Sequence, residues 1–356
     1  MIKVAVIISP NYEDLARRHL QNCLASIRKQ DWTGDLKIFM TDNRSTEESF
    51  VFLKETGPEI DVIRNENNDG FAGGNNLAMQ RALEEGFDYL VLLNMDAIAE
   101  ADCVSRLVQT AQSDAAIGAV QARIMLRPET NKVNSLGNET HFLGFGYCGG
   151  YGQDWSGTSL APVRDIGFPS GAATLYKKET LESLGLFDEE YRMYNEDQDL
   201  GWRIWLSGWR CVLASGAVVY HRYEFTGEAR KYYWLDRNRI LTILKHYELT
   251  TLLFIFPAFV FMEFGLLLFA FQKGWLREKM KVYGYFLNFR NWRYIVGARH
   301  KSQTLRRLKD RDMVGMICGR IWYDEIGDWK LRAANAVLAA YWRVVQRIIM
   351  KQGAVG

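Results

Sequence analysis

Tyr89-Leu90-Val91-Leu92-Leu93-Asn94-Met95-Asp96 decides how the rest of the chain is read. An unbroken apolar run of this length suits a strand buried on both faces, as in parallel sheets covered by helices. A polar step ending in an acid follows at once. In open α/β sheets that position, just beyond the carboxyl end of a strand, is where ligands bind. Oxygen donors there can hold a hard divalent cation beside a phosphate.

The same rhythm extends upstream. Strands are predicted at Val4–Ile8, Leu36–Thr41 and Ile60–Arg64. Helices fall at Leu15–Lys29, where Leu20, Leu24 and Ile27 share a face, and at Leu77–Glu85. This β-α alternation predicts an α/β fold with a mostly parallel sheet covered by helices. Chemistry is therefore sought in the polar steps after each strand: Ser9-Pro10-Asn11, Asp42-Asn43-Arg44-Ser45, Asn65 to Asn76, and Asn94-Met95-Asp96.

Downstream, a strand at Ala172–Tyr176 and a helix at Lys178–Leu184 lead into an acid-rich segment, Phe187 to Arg203, carrying Glu189, Glu196, Asp197 and Asp199. Glu196-Asp197 opens a helix, whose amide dipoles favour negative charge. Two short strands are expected to end at Tyr220, and His221 then offers an imidazole ligand or a hydrogen bond. Each residue also has a plain structural reading. Asp96 would cap a following helix, Asp199 rather than Asp197 would be the base, His221 would be a satisfied strand-end histidine, and Arg203 an ion-pair partner.

Other function classes fall away. Gly144, Gly146 and Gly149 spell G-x-G-x-x-G, but the motif neither follows the first strand nor opens a helix. Residues 137–157 are read instead as a mobile loop over a cleft. No phosphate-binding G-x-x-x-x-G-K-[ST] occurs, and five dispersed cysteines without a C-x-x-C pair favour a reducing compartment. Lys3 to Ile8 is too short an apolar run for a signal peptide and reads as the first strand.

At these residues the chain resembles glycosyltransferase family 2, in its bacterial rhamnosyltransferase-like branch. The matching stretches are Asp42-Asn43-Arg44-Ser45, Asn68 to Asn76 (NDGFAGGNN), Leu92-Leu93-Asn94-Met95-Asp96, Gly171-Ala172-Ala173, Phe187-Asp188-Glu189, Tyr194 to Arg203, His221 and Arg237-Asn238-Arg239. The resemblance spans residues 3–246 and implies the GT-A fold. By that resemblance Asp42 contacts the nucleotide base. Pro10, Asn11, Asn68, Gly70, Phe71, Asn76 and Asn94 belong to the nucleotide-sugar site. Asp96 would bind Mg²⁺ or Mn²⁺ with His221, and Asp197 would be the general base. Gly171, Glu196, Trp202 and Arg203 would border donor or acceptor. Asn94 stands where many members carry a second acid, and Glu47 where an Asp is common.

The reaction so implied is a single displacement at the anomeric carbon. One carboxylate takes the acceptor proton and no second nucleophilic carboxylate is needed, so inversion is expected. The resemblance favours dTDP-rhamnose as donor and a lipid-linked or polysaccharide acceptor in cell-surface glycan synthesis. UDP-galactofuranose, UDP-glucose or a non-catalytic assembly subunit are the rivals.

The chain of 356 residues carries 44 Lys/Arg against 42 Asp/Glu, formally +2, but the charge is segregated. Residues 273–320 hold 13 basic and 3 acidic side chains (+10), and residues 321–356 add +2, leaving −10 on residues 1–272. Thr250–Phe271 is apolar and long enough to cross a bilayer, yet contains Glu263 and is interrupted by Pro257. Basic residues interleaved with Trp275, Tyr283 and Trp292 follow, and a last helix is expected at Leu331–Met350. The expectation is a GT-A domain over 1–246 and, over 247–356, a helical, amphipathic region that associates with membranes. Phe254, Phe261, Trp275 and Trp292 would touch an anionic bilayer at the cytoplasmic face, in a peripheral or monotopic manner. Spanning and re-entrant arrangements stay open, as does homo-oligomer contact through the last helices. No nucleic-acid partner is expected, because the body is acidic and lacks a recognition motif.

Overall fold

Val4, Ala5, Val6, Ile7 and Ile8 are all within 1% of full burial, so the first strand has no solvent face. That is the environment a continuous apolar run requires. The computed structural model describes residues 1–155, 160–223, 229–321 and 329–351. They form two units: the first takes residues 1–138, 148–204 and 209–223, the second residues 139–147, 205–208 and the described chain from 229 onward.

The first unit is a sheet with helices on it. Its elements are β1 (Lys3–Asn11), α1 (Gln21–Ile27, entered through a π-helical turn at Ala16–Leu20), β2 (Asp35–Asn43), α2 (Glu47–Thr56), β3 (Asp61–Asn65), α3 (Gly70–Glu84), β4 (Tyr89–Leu93), β5 (Ala97–Ala99), α4 (Cys103–Gln112), β6 (Ile117–Leu126) and β7 (Val133–Ser135). The main strand order is β10-β12-β6-β11-β4-β1-β2-β3, completed by β10 (Val163–Asp165), β11 (Ala173–Lys177) and β12 (Arg210–His221). α5 (Lys178–Leu184) and α6 (Glu196–Leu206) lie between the last two strands in sequence. Strands β3, β2, β1 and β4 are mutually parallel, and β11 runs antiparallel between β4 and β6. The carboxyl ends of β1, β2 and β4 therefore open on one edge, as the stretch ending at Asp96 requires.

Two local expectations are corrected. The two short strands before His221 are one strand, β12, pairing with β6 through an irregularity between Ala214 and Val218. Most of the stretch read as a mobile loop is ordered structure. It contains β8 (Asn138–His141) and β9 (Gly146–Cys148), and its aromatics Phe142, Phe145 and Tyr147 are buried. Gly144 sits at φ +86°, where a Cβ would meet the Arg239 carbonyl at 2.4 Å, so this glycine serves a tight turn. Ser156 and Gly157 of the same stretch lie outside the described residues.

The second unit holds α7 (Ala229–His246), α8 (Leu249–Gln272), α9 (Leu276–Leu287), α10 (Phe289–Thr304), α11 (Asp310–Met313), β13 (Ile317–Cys318) and α12 (Trp329–Lys351). β13, β8 and β9 make a small sheet. The last carbonyls of α7 are satisfied from α10: Arg299 donates to Leu244 O and Tyr247 O, and Gln303 to Lys245 O and His246 O. Orphan carbonyls at a helix end need such partners. Pro257 does not interrupt α8, which is helical on both sides of it.

Candidate active site

The nucleotide end of the site is built on the ends of β1 and β2. Asp42 is fully buried, and its Oδ1 accepts from Asn11 Nδ2 at 2.8 Å and from the Ser45 hydroxyl. Its Oδ2 is buried without a hydrogen-bond partner. An unsatisfied buried carboxylate oxygen costs free energy unless a ligand N–H meets it. Asn11 is spent on holding this group, since its Oδ1 also accepts from Ala16 N at 3.0 Å.

The glycines of the NDGFAGGNN stretch let α3 start against this edge. Gly70 has φ +72°, and a Cβ there would lie 2.4 Å from the Arg192 carbonyl oxygen. A Cβ on Gly74 would come within 2.5 Å of the Pro10 ring. Asn43, within the Asp42–Ser45 stretch but given no role from the sequence, ties the pieces together: its Nδ2 donates to Gly70 O at 2.8 Å and its Oδ1 accepts from Asn65. Asn68 is exposed, and its Oδ1 accepts from Gly70 N. Asn76, expected in the donor pocket, is instead buried. It exchanges hydrogen bonds with the Phe187 backbone and donates to Glu189, which makes it a strut between α3 and the acid-rich segment.

The cation end sits at Asp96 and His221. His221 Nε2 lies 3.1 Å from Asp96 Oδ1 and 3.3 Å from Asn94 Nδ2. His221 Nδ1 lies 2.9 Å from Asn134 Oδ1, a partner the sequence did not reveal. That carbonyl can only accept, so Nδ1 carries the proton and Nε2 faces the carboxylate. Two acceptors in such proximity need either an imidazolium or a cation between them. Burial would raise the Asp96 carboxyl, but the His221 hydrogen bond and charge, with His19 beyond, hold it below the ordinary carboxylate range. Asp96 runs into β5 and not into a helix, so the capping role falls away.

Among the described residues no group of three His, Cys, Asp or Glu side chains gathers to hold a metal. The donors present still fit a divalent ion, because such ions bound with nucleotides take one or two protein ligands and complete their shell from phosphates and water. The buried Asn94 Oδ1, without a partner, points to the same demand. Beside Asp96 opens a cavity of about 440 Å³ bordered by Arg18, His19, Asn22, Arg127, Arg222 and Tyr223. Its arginines, absent from any motif, place positive charge next to a carboxylate within the acidic residues 1–272.

The third cluster is Gly171, Phe71, Glu196 and Asp197. Asn94 N donates to Ala172 O and Met95 N to the Ser9 hydroxyl, which joins this cluster, the cation end and the end of β1 into one edge. Asp197 Oδ2 accepts from Gly171 N at 3.1 Å and Oδ1 from Gln198 N at 2.8 Å. Burial nevertheless pushes Asp197 up to about 6, the amides only partly opposing it. Glu196 is raised further by burial and by Asp197 beside it, and its buried Oε2 has no partner. Arg192, Tyr194 and Asn195, directly before this pair, all hold positive φ, a costly backbone for non-glycines that persists where surroundings enforce it.

Two residues expected at the donor or acceptor border lie inside the unit. Trp202 is buried. Arg203 pairs with the fully buried Asp199 at 2.9 Å and donates to the carbonyls of Leu184, Gly185 and Leu186. A planar guanidinium holding one acid and three carbonyls is a structural clamp. Asp199 is thereby committed to it.

Residues 6–185 match the family model for glycosyl transferase family 2. An N-acetylglucosaminyl-diphospho-decaprenol L-rhamnosyltransferase of Mycobacterium tuberculosis is 40% identical over 65 residues, 18% of this chain and 21% of that protein. The chain thus aligns with about a fifth of that curated relative's length. Among solved structures, S. aureus TarS 1-349 in complex with UDP-GlcNAc superposes with a TM-score of 0.53 at 15% identity, covering 99% of this chain and 92% of that one. GalNAc-T7 with UDP, GalNAc and Mn²⁺ gives 0.55 at 15% identity over 69% and 48%. At such identities the likeness concerns the fold, which is GT-A.

Proposed function

The chain belongs to glycosyltransferase family 2, and we propose that it moves a sugar from a nucleoside-diphosphate donor to a hydroxyl of a lipid-linked or polysaccharide acceptor, with inversion. One observation carries this reading: Asp197 is held by two backbone amides yet kept basic by burial, on the same sheet edge as the Asp96–His221 pair. A base of this strength, aimed by fixed amides, suits removal of a proton from an attacking hydroxyl near neutral pH.

The parts then divide the work. Asp42 Oδ2 accepts the N–H of a pyrimidine base, its orphan lone pairs being suited to that donor. Asp96 and His221 would hold Mg²⁺ or Mn²⁺, which would stabilise the negative charge growing on the leaving diphosphate. Arg127, with Arg18 and Arg222, adds fixed positive charge on the same cavity wall. Asp197 Oδ takes the acceptor proton as the acceptor oxygen attacks the face opposite the leaving group. No second carboxylate is required as nucleophile, hence inversion.

For the donor, dTDP-rhamnose is the leading choice, supported by the short rhamnosyltransferase match. UDP-linked sugars are the alternative, as the TarS and GalNAc-T7 complexes hold UDP or UDP-GlcNAc. The test is a panel of dTDP- and UDP-sugars offered with membrane extract and Mn²⁺, with product NMR reporting sugar, linkage and anomeric configuration. Transfer with inversion from one donor supports the proposal. Retention, or no turnover or donor hydrolysis with any of them, refutes it.

A further inference from the structure

Glu263 lies in the middle of the most apolar helix of the chain, and the structure shows what it does there. Its two oxygens meet Arg239 Nη2 of α7 and, at 2.6 Å, Lys279 Nζ of α9. Asp236 closes the set, contacting Arg239 at 2.7 Å and Lys279 at 2.6 Å. Arg239 and Lys279 are almost wholly buried, so this four-charge cluster fixes which side of α8 faces α7 and α9.

The side of α8 turned away from its buried residues Thr251, Ile255, Ala258 and Met262 is exposed and apolar, with Glu263 on the flank between the two. Leu253, Phe256, Val260, Phe264, Leu268 and Phe271 recur at steps of three and four residues, all 48–71% exposed. That is one stripe along the helix, about 27 Å long at 1.5 Å per residue. Large exposed apolar stripes mark interaction surfaces. On α10, Phe289 and Val296 are exposed beside the exposed Arg290, Arg293 and Lys301. Trp275, in contrast, stacks on Tyr232 at 3.6 Å and belongs to the packing of this unit.

We propose that α8 lies flat in the headgroup layer of an anionic bilayer, its stripe facing the acyl chains, its Ile255, Ala258 and Met262 side facing the protein and Glu263 on the flank, and that it does not cross. α8 is, among the described residues, the one helix long and apolar enough to span. Spanning would carry Glu263 to the centre of the hydrocarbon together with the cations bound to it, where charged groups are costly to place. Lying flat keeps the cluster where it is. The occupant is a lipid surface rather than a second copy, because residues 273–320 carry +10 and apposing two such surfaces would oppose like charges. Anionic headgroups complement that charge. The proposal does not depend on the sugar or the acceptor.

The experiment uses the full chain and vesicles of phosphatidylcholine with or without phosphatidylglycerol. Binding should be strong only to the anionic vesicles and fall at least about ten-fold in the Phe256→Glu/Phe264→Glu variant. Both side chains are exposed, so the fold is kept, which circular dichroism checks. In a Cys148→Ser/Cys318→Ser background, an NBD label at Leu253→Cys or at Phe271→Cys should be quenched equally by external dithionite. Quenching at one end only means a spanning helix and overturns the proposal. So does a variant that binds like the parent, or a parent that ignores vesicles and forms a stable dimer the variant cannot.

Discussion

Gly171 N–H donates to Asp197 Oδ2 at 3.1 Å, so the approach to β11 aims the second carboxylate of α6. With Gln198 N–H on the other oxygen, both oxygens of Asp197 accept from backbone amides. Asn in that place has one acceptor for two donors. Asp197→Asn should therefore lower kcat by about 10²–10⁴-fold, the worth of a positioned base. Donor affinity, measured by calorimetry, should change little, and equal turnover in parent and variant would defeat the assignment.

The pH profile follows from the same carboxylate. Asp197 works as an anion and is pushed by burial from 3.8 up to about 6, while burial and Asp197 beside it raise Glu196 well above the usual carboxylate range. Activity should therefore fall as pH drops below about 6, with kcat/KM as the readout. For stability the sign is reversed: a carboxyl raised in the folded state favours folding below its ordinary range. That contribution is lost as pH rises through about 6. A profile flat from pH 5 to 8 would contradict it.

Asp96→Ala and His221→Ala each remove one of two side chains at the cation end. The parent should bind UDP or dTDP more tightly with Mn²⁺ than without. Each variant should lose most of that difference, roughly ten-fold or more, as for loss of a metal-site partner. Titration calorimetry with the nucleotide alone reads this without turnover.

Gly70→Ala tests the strained segment before Glu196. The new Cβ would collide with the Arg192 carbonyl, which also accepts from Ala72 N at 3.0 Å. A left-handed alanine costs about 1–2 kcal/mol before any clash. The melting temperature should fall, and kcat should fall beyond what lost folded protein explains.

Glu263→Gln leaves Arg239 and Lys279 with only Asp236 between them. Removing one partner of a buried ion cluster costs about 3–5 kcal/mol. Urea unfolding should show a loss of that order, and Glu263→Gln/Lys279→Met should recover part of it, since one cation then faces one anion.

The edge on which the site lies was legible because strand periodicity and the acids after Leu93 are local signals. Asp42, Asp96, Asp197 and His221 could be singled out for the same reason. Side-chain direction was not legible. Asn76 and Arg203 carry chemistry-bearing groups within motif stretches, yet the structure spends them on the Phe187 backbone and on Asp199 with three carbonyls. Arg127 and Asn134 sit in no motif; Arg127 borders the cavity beside Asp96 and Asn134 reaches His221 only because β6 pairs with both β7 and β12.

What the sequence by itself determined is the alternation of elements, the end of the sheet where ligands meet it, and the split between an acidic body and a basic tail. Each follows from side-chain polarity at fixed spacing along the chain. Only the tertiary structure decided the tautomer-fixing partner of His221, the raised Asp197 carboxyl and the side of α8 that Glu263 faces. These depend on which remote groups share a low-dielectric volume, and burial and hydrogen-bond geometry arise only when distant segments pack.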